Sequence, residues 1–232
     1  MREKRVNKSQ KLKIFVAVLS AIAIVGLIAI TSIINREEEN KYTIGLGNDL
    51  YITDIDSYDG EFLEDGKDAP VSNVLMFEIE NRGSEAVEYA VINAQIGETK
   101  AEFSVTALMP GAKAIILEKN QMQYDASVDY TKTGISCSVL ARYQYPLTKY
   151  EDKLEIQVLD DAVNVKNISK EDILQKIAIV YKNKEDGVYQ GGIAYRVIIE
   201  DGIKSGEISQ KMASHLDKKN SEILFVTMMD NE

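Results

Sequence analysis

The sequence predicts an all-β protein: an N-terminal transmembrane helix followed by two tandem antiparallel β-sandwich modules. Three observations carry this. One is a run of 21 residues without a charge, Ile14 to Ile34. The second is the series of short segments beyond it in which apolar and polar residues alternate, divided by Gly-, Pro- and Asn-containing turns. The third is a strand-and-turn pattern that recurs between the two halves of the remaining chain.

The leader comes first. As a helix at ~1.5 Å per residue, Ile14–Ile34 would be about 31 Å long, enough for a hydrocarbon core of about 30 Å. A cleaved signal has a shorter apolar region of roughly 7–15 residues ending in a small-x-small site. Here Ala21-Ile22-Ala23 lies in mid-run and Ala29-Ile30-Thr31 is a poor site, so the segment reads as an anchor. Arg2, Lys4, Arg5, Lys8, Lys11 and Lys13 precede the run against a single acid, Glu3, and Arg36 is followed by Glu37, Glu38 and Glu39. Basic residues stay on the cytoplasmic side, which predicts a cytoplasmic tail over 1–13, a single pass over 14–34 and an extracytoplasmic remainder. The expected localisation is the cell membrane.

The whole chain carries a net charge of −10. Taking the leader's six basic and one acidic residues from 27 and 37 leaves 21 and 36, a net of −15. Such a surface repels nucleic acid and anionic headgroups, so no nucleic-acid partner is expected. One cysteine, Cys137, excludes an intrachain disulfide. In GISCSVLARYQY, Ile135, Cys137, Val139, Ala141 and Tyr143 alternate with polar positions, which predicts a buried thiol on the apolar face of a strand.

A polar stalk containing REEENK is expected over 35–48. Module 1, over 49–146, holds DLYITDI, VSNVLMFEIEN, VEYAVINAQI, AEFSVTAL, AKAIILEK and GISCSVLARYQY. Module 2, over 153–230, holds LEIQVLD, AVNVKN, ILQKIAIVYKN, GIAYRVIIE, EISQKMASH and EILFVTM. PLTKYED breaks the pattern between them, placing the joint at 146–152. The clearest strand is Tyr189–Ile199, with Ile193, Tyr195, Val197 and Ile199 on the apolar face and Arg196 on the wet face beside Glu200. Ile79, Asn81, Glu85, Val87 and Val91 match Val165, Asn167, Glu171, Ile173 and Ile177 at identical offsets. Leu108-Met109-Pro110-Gly111 is echoed by Ile203-Lys204-Ser205-Gly206. Asparagine can bond its own backbone to start a turn, and glycine permits the tight turn before the next strand.

VLMFEIENRGSEAVEYAVINAQIG followed by TALMPGAKAIIL resembles the FxLYD-type, immunoglobulin-like extracytoplasmic modules, whose usual run is a strand ending in Val-x-Asn, a polar turn, an Ile/Val strand and a Leu-x-Pro-Gly turn. The Phe-x-Leu-Tyr-Asp signature is replaced by Val91-Ile92-Asn93-Ala94. The second half resembles C-terminal regions of uncharacterised envelope proteins of Gram-positive bacteria. The resemblance spans about 70–230, implies immunoglobulin-like sandwiches and an envelope location, and transfers no catalytic residue.

Chemistry is sparse. DIDSYDGEFLEDGKD places Asp54 and Asp56 at positions 1 and 3 of a calcium loop, but Asp59 stands where the glycine is required and Gly60 follows one place late. Asp54, Asp56 and Asp59 are therefore candidate calcium ligands of a non-standard kind, set against a solvated acidic loop between strands. His215 is the one histidine, and with a lone cysteine in another module it cannot complete a zinc site. Gly191-Gly192 opens no helix, so it reads as a bulge or close backbone approach rather than a phosphate loop. The expectation is a protein without catalytic residues or a cofactor, binding or scaffolding an envelope protein partner. The alternatives are a ligand- or calcium-binding sensor ectodomain, against which the short cytoplasmic tail counts, and a carboxylate-dependent hydrolase.

Overall fold

A computed structural model describes residues 43–230. Alternating apolar residues build its strands, and two-residue turns join four of the consecutive pairs. The first half runs β1 (Ile44–Gly47), β2 (Leu50–Glu61), β3 (Pro70–Asn81), β4 (Val87–Ile96), β5 (Thr99–Leu108), β6 (Lys113–Leu117), a 3-10 turn (Tyr130–Lys132) and β7 (Gly134–Arg142). The second runs β8 (Leu154–Leu159), β9 (Ala162–Asn167), β10 (Lys176–Glu185), β11 (Val188–Tyr189), β12 (Tyr195–Ile199), β13 (Ile208–Met212) and β14 (Ser221–Met229). The tight links are left-handed where the residues allow it: Asn48 and Asp49 at φ 50° and 60°, Asp186 and Gly187 at φ 48° and 87°. Such turns match the twist of the strands they join. Among the described residues no helix is long and apolar enough to cross a membrane; the run 14–34, expected to span one, lies outside them.

Two sandwich cores form. In the first, β1-β2-β3-β6 faces β5-β4-β7. Leu50, Ile52, Phe77 and Ile79 meet Val87, Ile92, Phe103 and Val105, all fully buried, and the Phe77 and Phe103 rings stack with centroids 4.0 Å apart. In the second, β12-β10-β14 packs on β13-β9-β8 through Ile177, Ile179, Tyr181, Val197 and Val226 against Leu154, Val163 and Val165. β10, β12 and β14 are thus neighbours in one layer, and the opposing layer comes from β8, β9 and β13.

The halves share both sheet and core. Val188 and Tyr189 of β11 pair in parallel with Lys113 and Ala114 of β6, while Lys184 and Glu185 of β10 pair with β11. The hydrogen-bonded sheet therefore runs from β1 to β12 without a break. Val180, Tyr189, Leu224 and Phe225 belong to the first core although they come from the second half. The expected joint at 146–152 connects β7 to β8, and its Thr148 bridges Val226 of β14.

The repeated asparagines do the same work in each half. Asn81 is fully buried. Its Nδ2 donates to the carbonyls of Glu85 and Leu108 at 2.9 and 3.0 Å, and its Oδ1 accepts from Gly83 N–H at 3.1 Å. Asn167 is equally buried, donates to Glu171 and Ile203 at 2.8 and 2.9 Å, and accepts from Ser169 N–H at 2.9 Å. The backbone carbonyls of the pair accept from Gly111 and Gly206. Each amide thereby locks the turn beside it to the later turn that ends in glycine.

Three expectations change. Cys137 is half-buried rather than buried, and Val139 points outward. Val91 pairs with Val139 but Ile92 with Cys137, so Ser138 is an extra residue that flips the alternation and sends Leu140 inward. The acidic stretch is strand through Glu61, leaving only 62–69 as a turn. The Tyr189–Ile199 segment is two strands, not one. Gly192 lies so close to β5 that a Cβ on it would sit 2.0 Å from the Ser104 carbonyl oxygen. Its own carbonyl accepts from Thr106 N–H at 2.8 Å, and Ala194 N–H donates to Thr106 Oγ1 at 2.7 Å. That stitch to the first half interrupts the strand.

Candidate functional site

The register of β12-β10-β14 determines which side chains share its outer face. Ile198, Ala178 and Thr227 form one row, and Arg196, Val180 and Phe225 the next. The odd-numbered apolar residues of β10 and β12 face the second core, so these rows face away from it. The 143–150 segment runs alongside and converts the face into a groove of about 380 Å³, walled by Tyr143, Tyr145, Tyr150 and Met229. A hollow of about 280 Å³ shares Glu88, Tyr143, Val180 and Arg196 with it and extends to Tyr89 and Ala194. Tyr145, Ile198 and Met229 are 53%, 38% and 41% exposed.

Electrostatics mark the middle of this groove. Burial pushes the Tyr143 phenol up to about 12, with Tyr145 and Glu88 adding to the shift and Arg196 opposing it. The hydroxyl therefore lies in the field of one cation and one carboxylate. Glu200, expected beside Arg196, instead pairs with Lys176 at 2.6 Å. Aromatic rings, a methionine and an arginine around an aliphatic floor are the residue types that anchor protein partners.

A second constellation lies where the 62–69 turn meets the other half. Lys182, on β10, is fully buried, and its Nζ donates to the carbonyls of Gly191 and Gly192 at 3.1 and 2.9 Å. Burial lowers its pKa to about 7, against the opposing pull of Glu64. Glu64 Oε1 accepts from Leu117 and Gly192 N–H at 3.0 and 2.8 Å, while Oε2 is buried without a hydrogen-bond partner. Burial raises the Glu64 pKa; the N–H groups of Leu117 and Gly192, then Lys182 and the Ile193 N–H, act the other way. Asp68 Oδ2 meets His215 Nδ1 at 3.1 Å. The imidazole stacks on Tyr195 at 4.4 Å, and Tyr195 on Tyr181 at 5.5 Å. Neither Glu64 nor Lys182 stands out in the sequence. A lysine near the end of a strand reads as solvated, and only the carbonyls of the glycine pair, ten residues on, make it an interior group.

The calcium candidates are dispersed along β2. Asp54 and Asp56 each accept from the next N–H, of Ile55 at 2.9 Å and Ser57 at 2.7 Å. Asp59 accepts from Ser72 Oγ and Asn73 N–H, and these bonds hold its carboxyl below the usual range, the serine contributing most. Among the described residues no group of three or more histidine, cysteine or acidic side chains is placed to hold a metal ion. The Cys137 thiol, 3.1 Å from the Val139 carbonyl oxygen, is pushed up by burial, which disfavours the thiolate.

No family model matches the chain, and no curated protein and no solved structure gives a significant match to it.

Proposed function

We propose that this is a single-pass membrane protein whose extracytoplasmic part, two immunoglobulin-like sandwiches fused through β10 and β11, binds an envelope protein partner rather than catalysing a reaction. The groove over β12-β10-β14 carries this reading. It presents tyrosines, Ile198 and Met229 around Arg196, chemistry suited to an extended partner segment with apolar side chains and an acidic group for the guanidinium. The anchor rests on the uncharged run 14–34 and on the basic residues ahead of it. The sandwich architecture draws support from the two cores and from the matched bonding of Asn81 and Asn167.

Site-specific photo-crosslinking in native membranes tests the proposal. A crosslinker at Ile198 or Tyr145 is expected to yield one discrete product. One at Leu174, 70% exposed and outside the groove, is expected to yield none. Arg196→Glu should abolish the Ile198 product while leaving the fold intact. The same product from all three positions, or from none, would sink the reading.

A further inference from the structure

The 62–69 turn crosses from the first half to the second and is fastened there by two carboxylates, Glu64 and Asp68. The buried amine beside it has an unusual count of partners. Lys182 Nζ meets two protein acceptors, the carbonyls of Gly191 and Gly192. An ammonium has three N–H donors, whereas a neutral amine has two N–H donors and a lone pair. The closed site therefore matches the neutral amine. Glu64 makes no hydrogen bond to Lys182, and its Oε1 accepts from the N–H groups of Leu117 and Gly192. Its Oε2 remains buried and unpartnered.

We propose that Lys182 is a neutral amine in the closed structure and that its protonation releases the 62–69 strap from the second half. The step moves one proton, from water to Nζ. The new third N–H has no acceptor in the closed arrangement. No hydrogen bond joins Oε2 to Nζ as the carboxylate sits, so satisfying it requires Glu64 to rotate, which draws Oε1 off the Leu117 and Gly192 amides, or Lys182 to leave the interior for water. Either movement unfastens the strap at its Glu64 end. The other groups in reach are named readily: Tyr189 of β11 lies near Nζ at 5.8 Å from its ring centre, Tyr58 of β2 and Tyr195 of β12 lie in the field of Glu64, and Glu61 and the Asp68–His215 pair flank the strap. The depressed basicity of Lys182 agrees with this count of donors. The sign follows: the open form binds the proton more tightly, so a fall in pH favours opening.

Hydrogen exchange followed by mass spectrometry on the full chain in detergent tests this, with intrinsic exchange rates divided out. Peptides over 62–69 and 188–194 should show an opening equilibrium that rises by up to about tenfold for each unit the pH falls from 9 to 7. The slope should vanish in Lys182→Met. It should survive in His215→Gln, which keeps Lys182 and removes the imidazole that meets Asp68 at the strap's other end. A flat wild-type profile overturns the proposal, as does a slope retained in Lys182→Met. A slope lost in His215→Gln would assign the switch to the histidine and equally overturn it.

Discussion

Asn81 and Asn167 show how a single side chain can close a loop of the chain. Each amide donates to carbonyls of two separate turns and accepts from the N–H two residues on while fully buried, so truncation strands several backbone groups away from water. Replacing either by alanine is expected to cost roughly 1–3 kcal/mol, the penalty for a buried group left unsatisfied. Aspartate should cost more, because a carboxylate would face two carbonyl oxygens. Urea midpoints of the four variants check this; a milder effect from aspartate would mean that the amide is oriented the other way. These asparagines are legible in the sequence, because each has a glutamate four residues on, Glu85 and Glu171, and a later glycine turn, at Gly111 and Gly206. Lys182 was not legible, since its burial depends on backbone carbonyls from a segment that alternation alone reads as continuous strand.

At the scale of the element, β12 is the cleanest test of register. Val197 is buried and Arg196 exposed on adjacent positions. Val197→Ala should cost on the order of 1–3 kcal/mol through lost packing, and Arg196→Ala under about 1 kcal/mol. Gly192→Ala should exceed both, since its methyl group would overlap the Ser104 carbonyl. Thermal melts of the three variants side by side give the ranking, and an inverted order of the first two would reverse the faces assigned to β12. Alternation identified the strands themselves well, from DLYITDI in β2 to EILFVTM in β14. It failed where one inserted residue shifts the phase, as Ser138 does in β7, and where a distant strand interrupts the pattern, as β5 does at Gly192. Neither event leaves a local signal, because both depend on what the neighbouring strand presents. The groove is legible only in part: alternation puts Arg196 on the wet face, but of its wall Tyr143 and Tyr145 read as the end of a strand and Tyr150 as part of the joint.

Over the whole molecule, β10 is the shared member. Ile177, Ile179 and Tyr181 enter the second core while Val180 enters the first. A chain ended at Gln144 loses Val180, Tyr189, Leu224 and Phe225 from the first core and uncovers one edge of β6. Such a fragment is expected to lack a cooperative melting transition, whereas residues 43–230 should unfold in one step. A sharp transition in the fragment, at the temperature of the whole, would show that the first half is self-sufficient.

The parallel pairing of β11 on β6 also has a consequence in time. β6 ends at Leu117 and β11 begins at Val188, about 70 residues later. A ribosome adds on the order of 5–20 residues per second, so several seconds separate the appearance of the two strands. Throughout that interval β6 presents an unpaired edge, the feature by which nascent β-proteins aggregate. For an ectodomain threaded out behind an anchor whose N-terminus stays inside, residues nearest the anchor first, this edge would emerge on the far side well before its cover. The birth of the molecule, more than its finished state, is where a chaperone would find something to hold.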